Sequence, residues 1–341
     1  MKKIISFVLL LIAILSLTSC SDGKRTLYIY NWSDYIAPDL LTKFQNKYNC
    51  NVVIDYFDSN EAMYAKIEVS NSGYDIIFPS SYMADIMRRQ HLIRKLDKSK
   101  IPNIKYVDRI YTDKTADPNM NYSVPYMISL SGIAYDKRVV KNIKPTWGVF
   151  GDKKYAGRMT MFDDMREAIG AALKYLGYSY NSTNDAQLEQ AKELMLKWKK
   201  NLAAYQVDEA KTSLGAGILL VIQAYNGDIY QMLPDSPQLG FVYPEEGTSI
   251  GLDTMVIPSD SKNTDLAYKF INFMYEPKNS IDNMKYVFYL CPNRKAMKML
   301  DKNFLSEITL PKELFKKSEV IHNLGRYNEK YVKIWDEIKI E

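Results

Sequence analysis

The 341-residue sequence predicts an α/β protein whose sheet is rich in parallel strands. Strand and helix patterns alternate from Thr26 onward, and no internal repeat or low-complexity linker interrupts them. The length corresponds to about two domains of ~100–200 residues each. Apolar residues make up 47% and charged residues 25%, which is typical of globular proteins and excludes collagen-like, coiled-coil and wholly disordered chains.

Residues 1–19 are predicted to form a signal peptide. Lys2 and Lys3 precede an apolar run from Ile4 to Leu17, which is shorter than the ~18–20 apolar residues of a membrane-spanning helix. The run ends in Leu17-Thr18-Ser19-Cys20, which resembles the bacterial lipobox. We therefore expect an exported chain with a lipid on Cys20 and a tether over residues 20–25. A simple secretory signal followed by a chance cysteine is the alternative.

Charge and residue counts exclude several classes of protein. Without Lys2 and Lys3, 43 of the 45 basic residues remain against 40 acidic ones, so the chain lacks the positive field that nucleic-acid binding needs. With two histidines and three cysteines, the sequence contains no HExxH, paired CxxC, GxSxG or P-loop motif. No metal and no cofactor is predicted. Cys50 and Cys291 are expected to be isolated buried thiols, although a disulfide between them stays open.

The first part of the chain shows a βαβ pattern. Residues 26–30 alternate short and apolar side chains, as a strand does. Pro38 then opens a helix, where its missing N–H costs nothing, and the apolar residues of that helix share one face: Leu40, Leu41, Phe44 and Tyr48. The alternation continues with a strand over 51–57, a helix over 60–69, a short strand over 75–78 and a helix over 82–90.

A second lobe is expected from about residue 136. A strand over 159–162 leads into a helix, with Asp164 at the N-cap and Glu167 at the third position, close to a capping box. From the residues alone, capping and ligand binding are equally good explanations of these two carboxylates. Further on, a strand over 252–257 carries Asp253 among apolar neighbours, and an amphipathic helix follows it. An acid in an apolar strand is costly unless it is paired or lies at a cleft.

The candidate binding residues are acids and aromatics. Two groups follow predicted strands directly, Asn31 to Tyr35 and Ser80 to Tyr82, and ligands of parallel sheets bind at such strand ends. The set comprises Trp32, Asp34, Tyr35, Tyr82, Asp164, Glu167, Tyr225 and Asp253, with almost no cation among them. Such a slot suits a flexible polycation, because carboxylates bind ammonium groups and ring faces cover the methylenes between them.

These residues also lie in segments that resemble the bacterial spermidine/putrescine-binding proteins of the PotD type, the substrate-binding subunits of polyamine ABC importers. The resemblance covers essentially the whole mature chain and is carried by the segments 30–35, 59–66, 74–82, 163–167 with 176–178, and 252–258. It implies a type II periplasmic solute-binding fold with the ligand cleft between two lobes. The first lobe would comprise 26–132 plus 252–276, and the second 133–251 plus 277–341.

The resemblance also implies roles for individual residues. Those matched to polyamine contacts are Trp32, Ser33, Asp34, Tyr35, Ser80, Ser81, Tyr82, Asp164, Glu167, Asp253 and Tyr289, and Tyr225 stands where the family has a tryptophan. Gly251 replaces a second tryptophan, which would open one wall of the slot, and Val207 replaces a small polar contact. The family's glutamine near Ile321 and His322 is missing or shifted.

The resemblance further implies the partners and the place of action. We expect a non-enzymatic, monomeric, periplasmic protein that binds spermidine or putrescine, is held at a membrane by its lipid alone, and docks on an ABC permease with a separate ATPase. Three alternatives stay open. They are an exported binder of another cation such as ferric iron, a carboxylate glycosidase using Asp253 with Asp164 or Glu167, and a surface adhesin or antigen.

Overall fold

A computed structural model describes residues 24–69 and 72–340, so the predicted signal peptide and Cys20 lie outside the described residues. None of the described helices combines the length and apolar character that a membrane span requires. Cys50 and Cys291 are both free and buried, as the sequence favoured.

The first elements of the chain follow the predicted alternation. They are β1 (Thr26–Asn31), α1 (Pro38–Tyr48), β2 (Asn51–Tyr56), α2 (Asn60–Glu68), β3 (Ile76–Ile77), α3 (Ser81–Arg89) and α4 (Arg109–Thr112). Pro38 does open α1, and Asn49 ends it in the left-handed conformation, which asparagine tolerates. Ser59 caps α2 by accepting a hydrogen bond from the backbone N–H of Ala62 at 3.1 Å.

The middle of the chain begins with a long strand and ends with a second one. The elements are β4 (Ser123–Asp136), β5 (Met159–Met161), α5 (Met165–Tyr175), α6 (Asp185–Lys199), β6 (Leu202–Tyr205), α7 (Asp208–Gly215), β7 (Val221–Tyr225), α8 (Asn226–Met232), β8 (Leu239–Val242) and β9 (Ser249–Val256). The remaining elements are α9 (Thr264–Met274), α10 (Pro277–Val287), α11 (Arg294–Met297), α12 (Lys302–Glu307), α13 (Lys312–Lys317), β10 (Glu319–Val320) and α14 (Asn328–Ile340).

The strands form one mixed sheet in the order β2-β1-β3-β9-β4-β7-β5-β6, with β10 beside β9 and β8 beside β4. Strands are parallel in the outer parts, where β1 pairs with β2 and β3, and β5 pairs with β6 and β7. The two central strands β4 and β9 are antiparallel to each other. The expectation of a parallel-rich sheet therefore holds for the outer strands and fails at the centre.

Strand β4 belongs to both halves of the sheet. Residues 123–130 pair with β9, whereas residues 131–136 pair with β7 and β8. In the part of the chain that the structure describes, four buried apolar clusters cover the sheet. One contains Phe44 and Phe270, and a second contains Met63 and Met87; both involve strands at the β1 end. The other two, around Trp147 and around Leu214, involve strands at the β5 end.

The segment after residue 276 contacts both ends of the sheet. Met284 and Val287 of α10 are buried in the same cluster as Phe44 and Phe270, not in a cluster at the β5 end. Asn283 explains part of this placement, since its Oδ1 accepts a hydrogen bond at 2.8 Å from the backbone N–H just before α1. The chain contacts the other half again at α14, where Tyr331 and Ile338 are buried with Trp147. The full lobe boundaries stay a prediction.

Candidate binding cleft

A single cleft of about 1080 Å³ brings together every residue that the sequence nominated for binding. These are Trp32, Ser33, Asp34, Tyr35, Ser80, Ser81, Tyr82, Asp164, Glu167, Tyr225, Asp253 and Tyr289. They come from the loops and first helical turns that follow β1, β3 and β5, from the end of β7, from β9, and from the segment after α10. Strand ends thus supply most of the lining, as the α/β prediction required.

Asp253 lies on β9, with its side chain fixed by the loop after β1. The hydroxyl of Tyr35 donates a hydrogen bond to Asp253 Oδ2 at 2.7 Å. The backbone of Asp253 bridges to Ser80, so the loops after β1 and β3 both contact β9 at this residue. Burial raises the pKa of Asp253 to about 7, and the Tyr35 hydrogen bond opposes that rise.

The loop after β1 is held by two aromatic residues. Trp32 donates its indole N–H to the carbonyl oxygen of Phe78 at 2.8 Å, and its ring packs on Phe57 with centroids 4.3 Å apart. Tyr35 meets Tyr289 edge-on at 5.4 Å. Between them Asp34 adopts φ 52°, a left-handed conformation that aspartate tolerates better than most residues, and its side chain is exposed.

Asp164 and Glu167 take different roles on the first turn of α5. Asp164 is the N-cap, and its Oδ1 accepts hydrogen bonds from the backbone N–H groups of Arg166 at 2.8 Å and Glu167 at 3.0 Å. Both bonds use one oxygen, and Oδ2 accepts none from the residues that the structure describes. Capping and ligand binding are therefore compatible in this carboxylate.

Glu167 does not complete the capping box. The hydroxyl of Ser249 donates to its carboxylate, 2.8 Å from both oxygens, and the hydroxyl of Tyr225 lies 3.4 Å from Oε1. Burial, followed by repulsion from Asp164, raises the pKa of Glu167 to about 8. No ion pair to Glu167 or Asp253 is found in the described part of the chain.

The loop after β3 contributes hydroxyl groups. Ser80 has a buried Oγ without a hydrogen-bond partner in residues 24–69 and 72–340, so a ligand atom is a suitable partner for it. Ser81 is buried at the start of α3. The hydroxyl of Tyr82 lies 3.3 Å from Oε1 of Glu61, an acid at the cleft edge.

Tyr225 and Tyr289 contribute two further aromatic rings to the cleft lining. Tyr225 packs on Phe162 with ring centroids 4.5 Å apart. The hydroxyl of Tyr289 donates to Asp228 Oδ1 at 2.6 Å, and its ring lies against Gly227, where an added Cβ would be 2.5 Å from a ring atom.

Sequence reasoning missed a further set of charged lining residues. The lining also includes five acids and two cations: Asp58, Glu61, Asp163, Asp228, Asp235, Arg166 and Lys211. Across the described residues the cleft thus holds nine carboxylates against two cations. Asp228 follows the end of β7, so the strand-end rule would have found it. The two cations correct the view that the site has almost none.

The structure shows the surroundings of Gly251 and Val207, the two residues that replace expected family contacts. An added Cβ at Gly251 would lie 2.1 Å from Oγ of Ser129, so the Ser129 side chain occupies part of the space beside this glycine. Val207 and Ile321 line the cleft. His322 contributes its carbonyl oxygen, which accepts a hydrogen bond from Arg166 at 2.8 Å.

Comparison with known proteins identifies the family of this chain. The profile of the family "Bacterial extracellular solute-binding protein" matches residues 39–308. The chain is 32% identical to the spermidine/putrescine-binding periplasmic protein of Escherichia coli K12, over 94% of this chain and 93% of that protein. It is also 32% identical to the putrescine/cadaverine-binding protein of Pseudomonas aeruginosa, over 100% and 99% of the two chains.

Solved structures of solute-binding proteins are also similar to this chain. The spermidine/putrescine ABC transporter substrate-binding protein PotD of Streptococcus pneumoniae has a TM-score of 0.82 and 35% identity, covering 93% of this chain and 99% of its own. The TpPotD lipoprotein of Treponema pallidum has a TM-score of 0.85 and 34% identity, covering 93% and 100%. These matches confirm the two-lobed solute-binding fold and the resemblance found in the sequence. The chain belongs to the family of bacterial extracellular solute-binding proteins.

Proposed function

We propose that this protein is the substrate-binding component of a polyamine ABC importer and binds spermidine or putrescine between its two lobes. The observation that carries the proposal is a pair of buried carboxylates, Glu167 and Asp253, 3% and 9% exposed, without an ion pair among the described residues. A buried carboxylate is stable as an anion only beside a counter-charge. A ligand with ammonium groups supplies that charge.

The remaining lining suits the rest of such a ligand. The rings of Trp32, Tyr35, Tyr225 and Tyr289 provide apolar faces for the methylenes, each of which contributes ~0.8 kcal/mol when buried. Cation–π contacts add ~0.5–2 kcal/mol per ammonium. The excess of carboxylates at the cleft attracts polycations and repels anions.

Closure follows from the position of the crossing strands. The β4 strand pairs with β9 at one end and with β7 and β8 at the other, so a twist of these strands brings the two halves of the lining together. A polycation that contacts both halves stabilises the closed form. The closed form is then the one that docks on the permease, which works with a separate ATPase because this chain has no nucleotide motif.

The same proposal assigns the place of action. The protein acts without catalysis and as a monomer, outside the cytoplasm, with Cys20 carrying the lipid that holds it to a membrane. The relatives from Escherichia coli and Treponema pallidum support this, since one is named a periplasmic protein and the other a lipoprotein.

Titration calorimetry tests the proposal. The purified protein is unfolded and refolded to remove any amine that it carries, and is then titrated with putrescine and with spermidine. Butylamine is the matched control, because it keeps the methylenes but has one ammonium group. We expect tight binding of at least one polyamine, weak binding of butylamine, and a smaller radius of gyration by X-ray scattering at saturation. If neither polyamine binds, the proposal is refuted. The alternatives are then tested by measuring the metal content of the protein and its hydrolysis of glycans.

A further inference from the structure

A hydrogen bond outside the cleft joins the two halves of the molecule. Asn323, in the segment between β10 and α14, donates its side-chain N–H to Asp85 Oδ2 on α3 at 3.2 Å. Met87 of α3 is buried in an apolar cluster at the β1 end of the sheet, whereas Leu324 packs against the cluster around Trp147 at the β5 end. Neither Asp85 nor Asn323 is among the described residues that line the cleft. The bond therefore links the halves at a place that the ligand does not reach.

The acceptor of this bond is fixed by its own helix. The side chain of Asp85 is 4% exposed, and Arg88 and Arg89 donate three hydrogen bonds to its carboxylate at 2.6–3.2 Å. The helix begins with Ser81, which lines the cleft, so Asp85 lies about one turn away from a cleft residue. Hydrogen bonds to an ionised and desolvated acceptor are stronger than neutral ones. Asp85 thus offers the other half a rigid, charged acceptor.

The donor is connected to the cleft through Arg166, on the first turn of α5. Arg166 is buried and lines the cleft, and its guanidinium donates to the carbonyl oxygen of His322 at 2.8 Å and to Oδ1 of Asn181 at 3.0 Å. The same oxygen of Asn181 accepts the backbone N–H of His322 at 2.8 Å. Both backbone groups of the residue before Asn323 are therefore tied to the turn that carries Asp164 and Glu167.

The orientation of the Asn323 amide is set by neighbours in its own segment. Its Oδ1 accepts the backbone N–H of Gly325 at 2.9 Å and the side-chain N–H of Asn328 at 3.3 Å. These two bonds hold the amide oxygen on the local side. The amide nitrogen consequently points across to Asp85.

We propose that the Asn323–Asp85 hydrogen bond is a clasp that holds the two halves of the cleft together and slows release of the ligand. The part that concerns release rests on the proposed function. The clasp requires α3 and the segment after β10 to lie side by side, so it stabilises the closed form and not an open one. Arg166 is the positioning residue, because it makes the segment that carries Asn323 move with Asp164 and Glu167. A ligand that draws this turn toward α3 also brings Asn323 to Asp85.

The release rate of a radiolabelled polyamine, chased with unlabelled polyamine, tests the clasp in the purified protein and in four variants. The amine used is whichever of putrescine and spermidine the unmodified protein binds more tightly. Asn323→Ala removes the donor. Asn323→Asp keeps the oxygen that accepts from Gly325 but turns a second carboxylate toward Asp85. The double variant Asn323→Asp with Asp85→Asn exchanges the two side chains, so that an amide on α3 donates to a carboxylate on the other half.

Asn328→Ala is the matched control, since it removes a local contact of Asn323 and keeps the donor of the clasp. Asn323→Ala and Asn323→Asp should each speed release at least about fivefold, because a hydrogen bond to a charged group is lost. The association rate should change little, as the clasp lies outside the cleft lining. The exchanged variant should recover to within about threefold of the unmodified protein, and Asn328→Ala should match it. Melting temperatures without amine show which variants are folded.

The outcomes separate the clasp from the proposed function. An unchanged release rate in the folded single variants of Asn323 overturns the clasp and leaves polyamine binding intact. Equal acceleration in Asn328→Ala, or no recovery in the exchanged variant, assigns the effect to the local fold of the segment and also overturns it. If Asn323→Ala does not fold, Asn323→Asp and the exchanged variant decide.

If the unmodified protein binds neither polyamine, the proposed function fails and the clasp is judged by X-ray scattering of the amine-free protein. A larger radius of gyration in Asn323→Ala than in the unmodified protein then supports the clasp. Equal radii overturn it.

Discussion

The hydroxyl of Tyr35 donates a hydrogen bond to Asp253 at 2.7 Å, although 218 positions separate the two residues. The bond joins the loop after β1 to the strand β9. It fixes the direction of the Asp253 carboxylate, so little rearrangement is needed when an ammonium group arrives.

Replacing Asp253 by asparagine should weaken polyamine binding at least about a hundredfold, because a buried ammonium group loses its counter-charge at a cost of ~3–5 kcal/mol. The amide keeps the size of the side chain and an oxygen for the Tyr35 hydroxyl. Calorimetry with putrescine measures the loss. Asp282→Asn, at an exposed position of α10, is the control. Equal affinity in both variants would remove Asp253 from the site.

Replacing Tyr35 by phenylalanine should weaken binding about tenfold and move its pH dependence to higher pH. The Tyr35 hydrogen bond lowers the pKa of Asp253, so its loss leaves burial unopposed and the carboxyl group protonated over a wider range. Affinities measured from pH 6 to pH 9 reveal both effects. A uniform loss at every pH would show that Tyr35 contributes only ring contacts.

Binding should release protons near neutral pH. The pKa values of Asp253 and Glu167 are raised to about 7 and about 8, whereas the amines of the ligand stay charged to well above pH 8. Affinity is therefore expected to rise about 10- to 100-fold from pH 6 to pH 8.5. Titrations in two buffers of different ionisation enthalpy count the protons. Glu167→Gln should remove part of the release, and a pH-independent affinity would contradict the assignment.

The amine-free protein should show the opposite trend in stability. The folded-state pKa values of Asp253 and Glu167 lie above their ordinary values, so the empty folded protein binds more protons than the unfolded chain between about pH 4 and pH 8. Its free energy of unfolding should fall as pH rises through that window, by up to about 4–5 kcal/mol per group. Thermal unfolding of the protein and of Asp253→Asn with Glu167→Gln, from pH 5 to pH 8.5, isolates this contribution. If the melting temperatures of the protein and of the double variant changed equally with pH, this contribution of Asp253 and Glu167 would be disproved.

Gly227→Ala should lower both stability and affinity. The new Cβ would lie 2.5–2.6 Å from three atoms of the Tyr289 ring, which must then move out of contact with Tyr35 and Asp228. Overpacking of this kind costs ~1–3 kcal/mol. Gly215→Ala is the matched control, since its Cβ would meet the flexible end of Met232 at 3.1 Å. Melting temperature and putrescine affinity measure the two effects, and control-like values for Gly227→Ala would contradict the predicted displacement.

Local patterns predicted most of the elements that surround the cleft, including the central strand β9, but not the long central strand β4. Pro38 and Asp164 begin helices where the sequence placed them, because caps and first-turn prolines act within a few residues. The strand β4 has no alternation of buried and exposed residues, since both of its faces are covered, and so it left no period-two signal.

The candidate residues were predictable for a similar reason. Strand ends converge in an α/β fold, so the residues after β1, β3 and β5 could be grouped without knowing a single distance. The pairing of Lys211 with Asp228 could not be predicted in this way, because it depends on how α7 and α8 lie against each other. The contact of Glu167 with Ser249 likewise joins distant segments, and the local capping pattern suggested another partner.

The continuity of β4 through both halves of the sheet has a thermodynamic consequence for capture. Its backbone is already paired with neighbouring strands over most of its length, so bringing the halves together orders few additional residues and costs little conformational entropy. A ligand with only a handful of heavy atoms has a limited interaction energy, and a disordered hinge would consume much of it. Because β4 is an ordered hinge, the interaction energy of the ligand remains available for holding the cation. The lifetime of the complex is then set by the rate at which the cleft reopens.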